Sequence, residues 1–439
     1  MFKGLKLTRG QEDMERLTAT AIAKSYNVIG YDAVGVSKYD LSAGLNFLIN
    51  LSKQSKFSWL SANLVRKSDS KPIFKAKVIL HVNKLRIGVA GLTNMAAQSM
   101  LSAADGVVVL PWRDILPPLL KELKPQTDMI ILLSNLSPKE NRQIAEEFND
   151  IHLIIQAGQT GNGLPPKSLN NTLICQTAKQ GKYIGILDIN WSRSKEWGID
   201  KRGLLAQQRS ALDRLNWQLS KYEKHGDPLQ IFKNQPEKLQ GYRRLLTRRQ
   251  KMEKEIANLN QVISSDQRSD GPCTFKNRFI AMETSMPDEP EVSAIVSELN
   301  KKINAIGRAK AGISKAMHKT YTGWRRCRIC HTKEAAAWQN TKHAKAYKTL
   351  VNRNRQFNID CLFCHVTGIS RKNAADAVSV SIDLRGVGCE ACHGPGKEHI
   401  KDPKLNKLTA RPEAPVCLSC HTTTHDDSFD YARDIKLVH

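Results

Sequence analysis

Cys327-Arg-Ile-Cys330-His331, Cys361-Leu-Phe-Cys364-His365, Cys389-Glu-Ala-Cys392-His393 and Cys417-Leu-Ser-Cys420-His421 are four copies of one pattern, C-x-x-C-H, within a chain of 439 residues. Two cysteines three apart can add across the two vinyl groups of one porphyrin. The histidine that follows is then held under the iron as its proximal ligand. Zinc is the rival reading, because four CxxC pairs could form two sites of four thiolates each. Zinc does not require a histidine after every pair, and histidine is only 12 of 439 residues. The pattern therefore implies four covalently bound haems c, with His331, His365, His393 and His421 as proximal ligands.

The first cysteines of successive motifs lie 34, 28 and 28 residues apart. Each haem is left little more protein than a helix and a loop, so the porphyrins themselves must supply the core of a mainly α and irregular domain over 324–439. Rings packed through so little chain are forced together, and close rings exchange electrons by tunnelling. Each iron also needs its sixth position decided. The histidines available are His318, His343, His399, His425 and His439, the last at a chain end, where disorder concentrates. Two imidazoles per iron suit a carrier, whereas an open position suits a small substrate.

Working outward, residues 1–198 alternate between helical and strand patterns. Gln11–Tyr26 and Leu41–Leu51 read as helices. Short apolar runs at 33–36, 77–82, 85–90, 106–110, 129–133, 152–155 and 172–175 read as strands, with a helical spacer at 141–148. This is an α/β layered fold. From Lys201 the sequence becomes charged and Leu-rich. Leu205, Leu212, Leu215, Leu219 and Tyr222, then Tyr242, Leu245, Met252, Ile256, Leu259 and Ile263, recur at spacings of three and four or multiples of these, around the breakers Pro228 and Pro236. The segment 199–266 is expected to form an antiparallel helical hairpin of coiled-coil type, either self-contained or pairing with a second copy. Residues 267–285 hold a strand returning to the α/β domain, and 286–323 a helix and a basic linker.

The formal charge is +25. Haem propionates would offset about 8 of these charges and leave the protein basic. The excess is local: between Lys301 and Arg355 stand fifteen Lys or Arg against the single acid Glu334. That surface fits either a solvated face neutralising propionates or a docking face for an acidic redox donor or acceptor. No nucleic-acid motif accompanies the charge. Cys175 and Cys273 remain outside the motifs and are expected as separate buried thiols rather than a disulfide. With 41% hydrophobic residues and no unbroken apolar run of spanning length, no transmembrane helix is expected. Haem c is attached outside the cytoplasm, so a periplasmic or extracellular location is expected. The start at Met1 shows no apolar leader, which implies that it is not the natural precursor start.

Two resemblances add to this reading. Asp32–Asp40, Phe57–Asn63, Val89–Thr93 and Gln180–Asp188 resemble the catalytic domain of secreted 5'-nucleotidase-type metallophosphoesterases. That family binds two metals through Asp-x-His, Gly-Asn-His-Glu, a lone His and Gly-His-x-His. Here Ser37-Lys-Tyr-Asp40, Asn135 and Ala157-Gly-Gln-Thr160 stand at the last three of these positions. The resemblance implies the fold without the activity, a scaffold or docking module. The stretches Trp338–Ala344, Cys389–Gly396 followed by His399, and Cys417–Thr422 followed by His425 resemble the tetrahaem cytochrome c-554 family. This implies that His343 and His399 are distal ligands, with His425 a third. The fourth would be His318, His439 or a histidine of another subunit. The family's relatives include enzymes acting on hydroxylamine and nitrite. Beside an electron carrier stand a multihaem oxidoreductase acting on hydroxylamine, nitrite or nitric oxide, and a phosphoesterase with a redox appendage.

Overall fold

The structure, a computed structural model, describes all residues except 3, 9, 158–163, 179–180, 199–200, 225, 234, 266–271, 284, 310–319, 370–379, 423–424, 427–428 and 439. Helix α1 (Glu12–Ile29) opens the chain and ends at Gly30, whose φ of 85° lets its N–H return to the Tyr26 carbonyl. A short strand β1 (Ala33–Gly35) pairs in parallel with β2 (Ser58–Leu60). The helix expected over 41–51 is split. A 3-10 turn at Lys38–Ala43 stops at Gly44, whose φ of 92° is costly for any other residue, and α2 restarts at Leu45–Lys53.

Five of the apolar runs, 77–82, 85–90, 129–133, 152–155 and 172–175, join a strand not expected from the sequence, at 164–169, in a six-stranded mixed sheet. Its strands are β4 (Lys77–Val82), β5 (Leu85–Leu92), β7 (Met129–Ser134), β8 (Leu153–Gln156), β9 (Leu164–Leu169) and β10 (Thr172–Gln176), in the order β4-β5-β7-β8-β10-β9. The β5-β7-β8-β10 pairs are parallel, and both outer pairs are antiparallel. β3 (Leu64–Arg66) and β6 (Val107–Val109) form a separate pair. β9 carries Pro165 and Pro166, which a strand tolerates at an edge because proline donates no ladder hydrogen bond. Two helices cover the sheet. α3 (Trp112–Leu123) buries Leu116, Leu120 and Leu123. α4 (Pro138–Glu147) starts on a reciprocal Ser137–Glu140 cap and buries Ile144. Gly91 is needed where it stands, since a Cβ there would lie 2.4 Å from the Leu60 carbonyl oxygen.

β11 (Tyr183–Asn190) and β12 (Thr274–Ala281) form an antiparallel ribbon of their own. The strand expected to return to the α/β segment 1–198 does so along β11, which offers it a complete edge of eight residues. Between them α5 (Lys201–Glu223), α6 (Pro228–Ile231) and α7 (Pro236–Ser265) make the hairpin. Arg209 reaches Asn260 and Tyr242 donates to Glu223, which sets the two long helices antiparallel around Leu215, Leu219, Tyr242 and Met252. Cys273 is buried, Cys175 is half-buried, and both are free thiols.

α8 (Pro290–Ala309) is the helix expected within 286–323 and lies against α1, while 310–319 of the expected basic linker fall outside the described residues. Gly307 of α8 meets Phe357 so closely that a Cβ would come within 2.5 Å of the Phe357 Cβ. Beyond it the chain forms short helices and turns around a small cluster of Leu350, Leu362, Val366, Ile369, Val380 and Leu384. Among the described residues no helix is long and apolar enough to cross a membrane.

Candidate functional site

All four motifs sit on a helical turn or at its end: Trp324–Cys327, Ile359–His365, Cys389–His393 and Ala414–Leu418. Helical spacing puts positions i, i+3 and i+4 on one face, which is where two cysteines and a histidine must be to grip one porphyrin edge. The backbone carries this out: the His331 and His421 N–H groups donate to the Cys327 and Cys417 carbonyls at 3.0 and 2.9 Å.

The motifs crowd together. The Cys327 and Cys389 thiols hydrogen-bond each other, which raises the first above its ordinary pKa and lowers the second. Cys420 is held low by a bond from Cys364. Cys392 is pushed up to about 11 by burial, with Cys417, Cys389 and Cys420 adding to it. Cysteines of the first and third, the third and fourth, and the second and fourth motifs thus lie near one another.

Imidazoles of distant motifs face each other. The rings of His331 and His399 are centred 6.4 Å apart with planes at 26°, and those of His343 and His421 are 6.0 Å apart at 61°. With a metal–nitrogen bond of about 2.0 Å and a ring centre roughly 1 Å beyond the nitrogen, two imidazoles trans on one iron have centres about 6 Å apart. Both pairs therefore fit an iron between them. The ring orientation is fixed from behind, as a ligand requires. Nδ1 donates to the Ala346 carbonyl from His365 (2.8 Å), to Thr409 from His393 (2.6 Å) and to Asn406 from His399 (2.9 Å), which commits Nδ1 and leaves Nε2 as the ligating nitrogen of each ring. Burial, then the neighbouring His421, lowers the pKa of His343 and keeps it neutral.

His343 stands on a frame built by residues that the motifs do not include. Its carbonyl accepts the Val387 N–H at 3.0 Å, and the Trp338 indole donates to the Val387 carbonyl at 2.8 Å. Gly386, at a φ of 92°, passes so near that a Cβ would lie 3.0 Å from the His343 oxygen. Glu390, inside the third motif, is 3% exposed. Its carboxylate accepts N–H bonds from Thr322, Gly323 and Gly396, tying the approach to the first motif onto the third. The sequence offers no sign of this, since a charged residue between two motif cysteines reads as exposed.

His425 is exposed after the fourth motif, with its N–H on the Thr422 carbonyl. His318 and His439 lie outside the described residues. The first motif is the most open, with Ile329 68% exposed and Arg326, Arg328 and Lys333 exposed around it, whereas Leu362 of the second motif is fully buried.

In the α/β domain the positions matching phosphoesterase metal ligands are engaged in local bonds. The Asp40 carboxylate accepts from the Ser37 N–H and hydroxyl at 2.9 and 2.8 Å. Asn135 donates to the Val36 carbonyl at 3.1 Å, and Asn63 bridges Thr93 and Leu110. Of Ala157–Thr160, residues 158–160 lie outside the described residues. No group of three or more His, Cys, Asp or Glu converges as for a metal ion among the described residues.

Residues 326–394 match the family model for cytochrome c554 and c-prime. Cytochrome c-554 of Nitrosomonas europaea is 34% identical over 107 residues, 21% of this chain and 46% of that protein. Protein UshA of Salmonella pullorum is 31% identical over 93 residues, again 21% of this chain but only 17% of that protein. The chain thus spans under half the length of either relative. Among solved structures, the 5'-nucleotidase precursor of Thermus thermophilus is 20% identical with a TM-score of 0.38, over 43% of this chain and 41% of that one. The chain joins a c-type cytochrome region to a nucleotidase-like α/β domain.

Proposed function

We propose that this protein is an exported tetrahaem c-type cytochrome that carries electrons along four haems between redox partners. Its α/β domain serves as a scaffold or docking module without phosphoesterase activity. The observation that carries the reading is the facing of His331 by His399 and of His343 by His421, at separations that fit one iron each. Cys327 and Cys330 would hold the first haem, Cys361 and Cys364 the second, Cys389 and Cys392 the third, and Cys417 and Cys420 the fourth. The haems supply one-electron chemistry. The chain's residues hold them in contact, fix the ligand rings through Nδ1 and keep water from the buried members.

The open, basic face at Arg326, Arg328 and Lys333 suits an acidic donor or acceptor, with association faster at low salt. A second reading is a multihaem oxidoreductase in which one haem binds a small nitrogen compound.

Low-temperature electron paramagnetic resonance of the oxidised holoprotein, with its haem-to-protein ratio, tests both. Four haems with low-spin signals support the carrier. Two of these signals should differ in rhombicity, because ligand planes at 26° and 61° split the iron d orbitals differently. A stoichiometric high-spin signal that shifts with nitrite, nitric oxide or hydroxylamine moves the assignment to the enzyme. Fewer than four haems per chain overturns the tetrahaem reading.

A further inference from the structure

The imidazoles of the haem region are not all held alike. His365, His393 and His399 place Nδ1 on main-chain carbonyls, which are neutral. His421 places its Nδ1 on Oδ2 of Asp426 at 2.7 Å. Phe429 lies against the same ring, centres 4.5 Å apart and planes at 20°, so the imidazole is kept from swinging off the carboxylate. Arg433, bonded to Asp434, is also within electrostatic reach of Asp426.

We propose that Asp426 is a positioning residue that lowers the reduction potential of the haem at Cys417, Cys420 and His421 below that of its neighbours. The inference rests on reading His421 as that haem's proximal ligand. A carboxylate on the far nitrogen strengthens the imidazole as an electron donor and adds a negative charge near the iron. Both effects favour the ferric state. Reduction brings one electron to the iron and leaves the proton on Nδ1, so the carboxylate opposes the added charge directly. A carbonyl partner, as at the other three rings, carries no such charge.

The test is spectroelectrochemical titration of the holoprotein with Asp426→Asn, Asp426→Glu and Asp426→Ala beside the wild type, with haem content and low-spin signals measured on each. Asparagine can still accept from Nδ1 but carries no charge. It should raise one of the one-electron transitions by about tenfold in the equilibrium, about 59 mV, and leave the others in place. That transition should be the one whose low-spin signal is lost in His343→Ala. Glutamate should keep the wild-type potentials. Unmoved transitions in Asp426→Asn, or a downward shift, overturn the proposal, since the carboxylate would then serve orientation alone. A wild type lacking the His343-dependent low-spin signal overturns the ligand reading instead, and the two failures are told apart on the same samples.

Discussion

Glu390→Ala should destabilise the haem region far more than a substitution between two motif cysteines would suggest. The carboxylate is buried, and its oxygens accept from Thr322 N–H at 2.9 and 3.1 Å, from Gly323 N–H at 2.7 Å and from Gly396 N–H at 2.7 Å. Alanine leaves three buried main-chain donors without partners. Each orphaned donor costs about 1–3 kcal/mol, and the losses are not additive, so a total of about 3–6 kcal/mol is expected. For a region of this size that lowers the melting temperature by about 4 °C per kcal/mol, or roughly 12–24 °C. Glu390→Gln should fall between, because one amide oxygen can accept two of the three bonds while its NH2 group abuts a third donor. The assay is thermal unfolding of the holoprotein followed by Soret circular dichroism, with haem content matched between variants. A Glu390→Ala protein within about 1 kcal/mol of wild type would falsify the claim that these bonds tie the first and third motifs together. A glutamine variant as damaged as alanine would point to charge rather than hydrogen bonding.

Gly386→Ala should displace His343, since a methyl group there meets the carbonyl oxygens of Ala344 and His343 at 2.9 and 3.0 Å and φ is 92°. The expected readout is conversion of one haem from low to high spin, and an unchanged spectrum would show that the 386–388 segment does not hold that histidine. His152 should make the α/β domain acid-sensitive. Burial, helped by Lys195, lowers its pKa from 6.5 to about 4, while its Nδ1 accepts the Ile130 N–H. Above the unfolded value both states are neutral and nothing is lost. As pH falls from 6.5 toward 4 the unfolded chain takes up a proton that the native one refuses, so stability drops, by about 2 kcal/mol at pH 5. Urea titrations at pH 7 and pH 5 should show that drop in wild type and a flatter response in His152→Gln; equal slopes would place the acid sensitivity elsewhere.

Much of this molecule was legible in its residues. The C-x-x-C-H pattern names its own chemistry, because thioether attachment and proximal ligation need those three side chains at that spacing and on one helical turn. Apolar runs of four to six residues marked five of the six strands of the main sheet, and the exposed edge strand β9, with its two prolines, lacked that composition. The breakers at Pro228 and Pro236 gave the hairpin. Other features depend on contacts between distant parts of the chain. Local periodicity could not show that Gly44 divides the second helix, that β12 pairs with β11 away from the main sheet, or that α8 packs on α1. The same holds at the site. Sequence supplied the imidazoles, and a resemblance singled out His343 and His399, but only the tertiary structure set His399 against His331 and His343 against His421. It alone put Glu390 under three main-chain donors and Asp426 behind His421. A motif fixes covalent chemistry through neighbours three and four residues away. The facing imidazoles come from segments tens of residues apart, brought together by packing, whereas the carboxylate behind His421 lies only five residues along the chain.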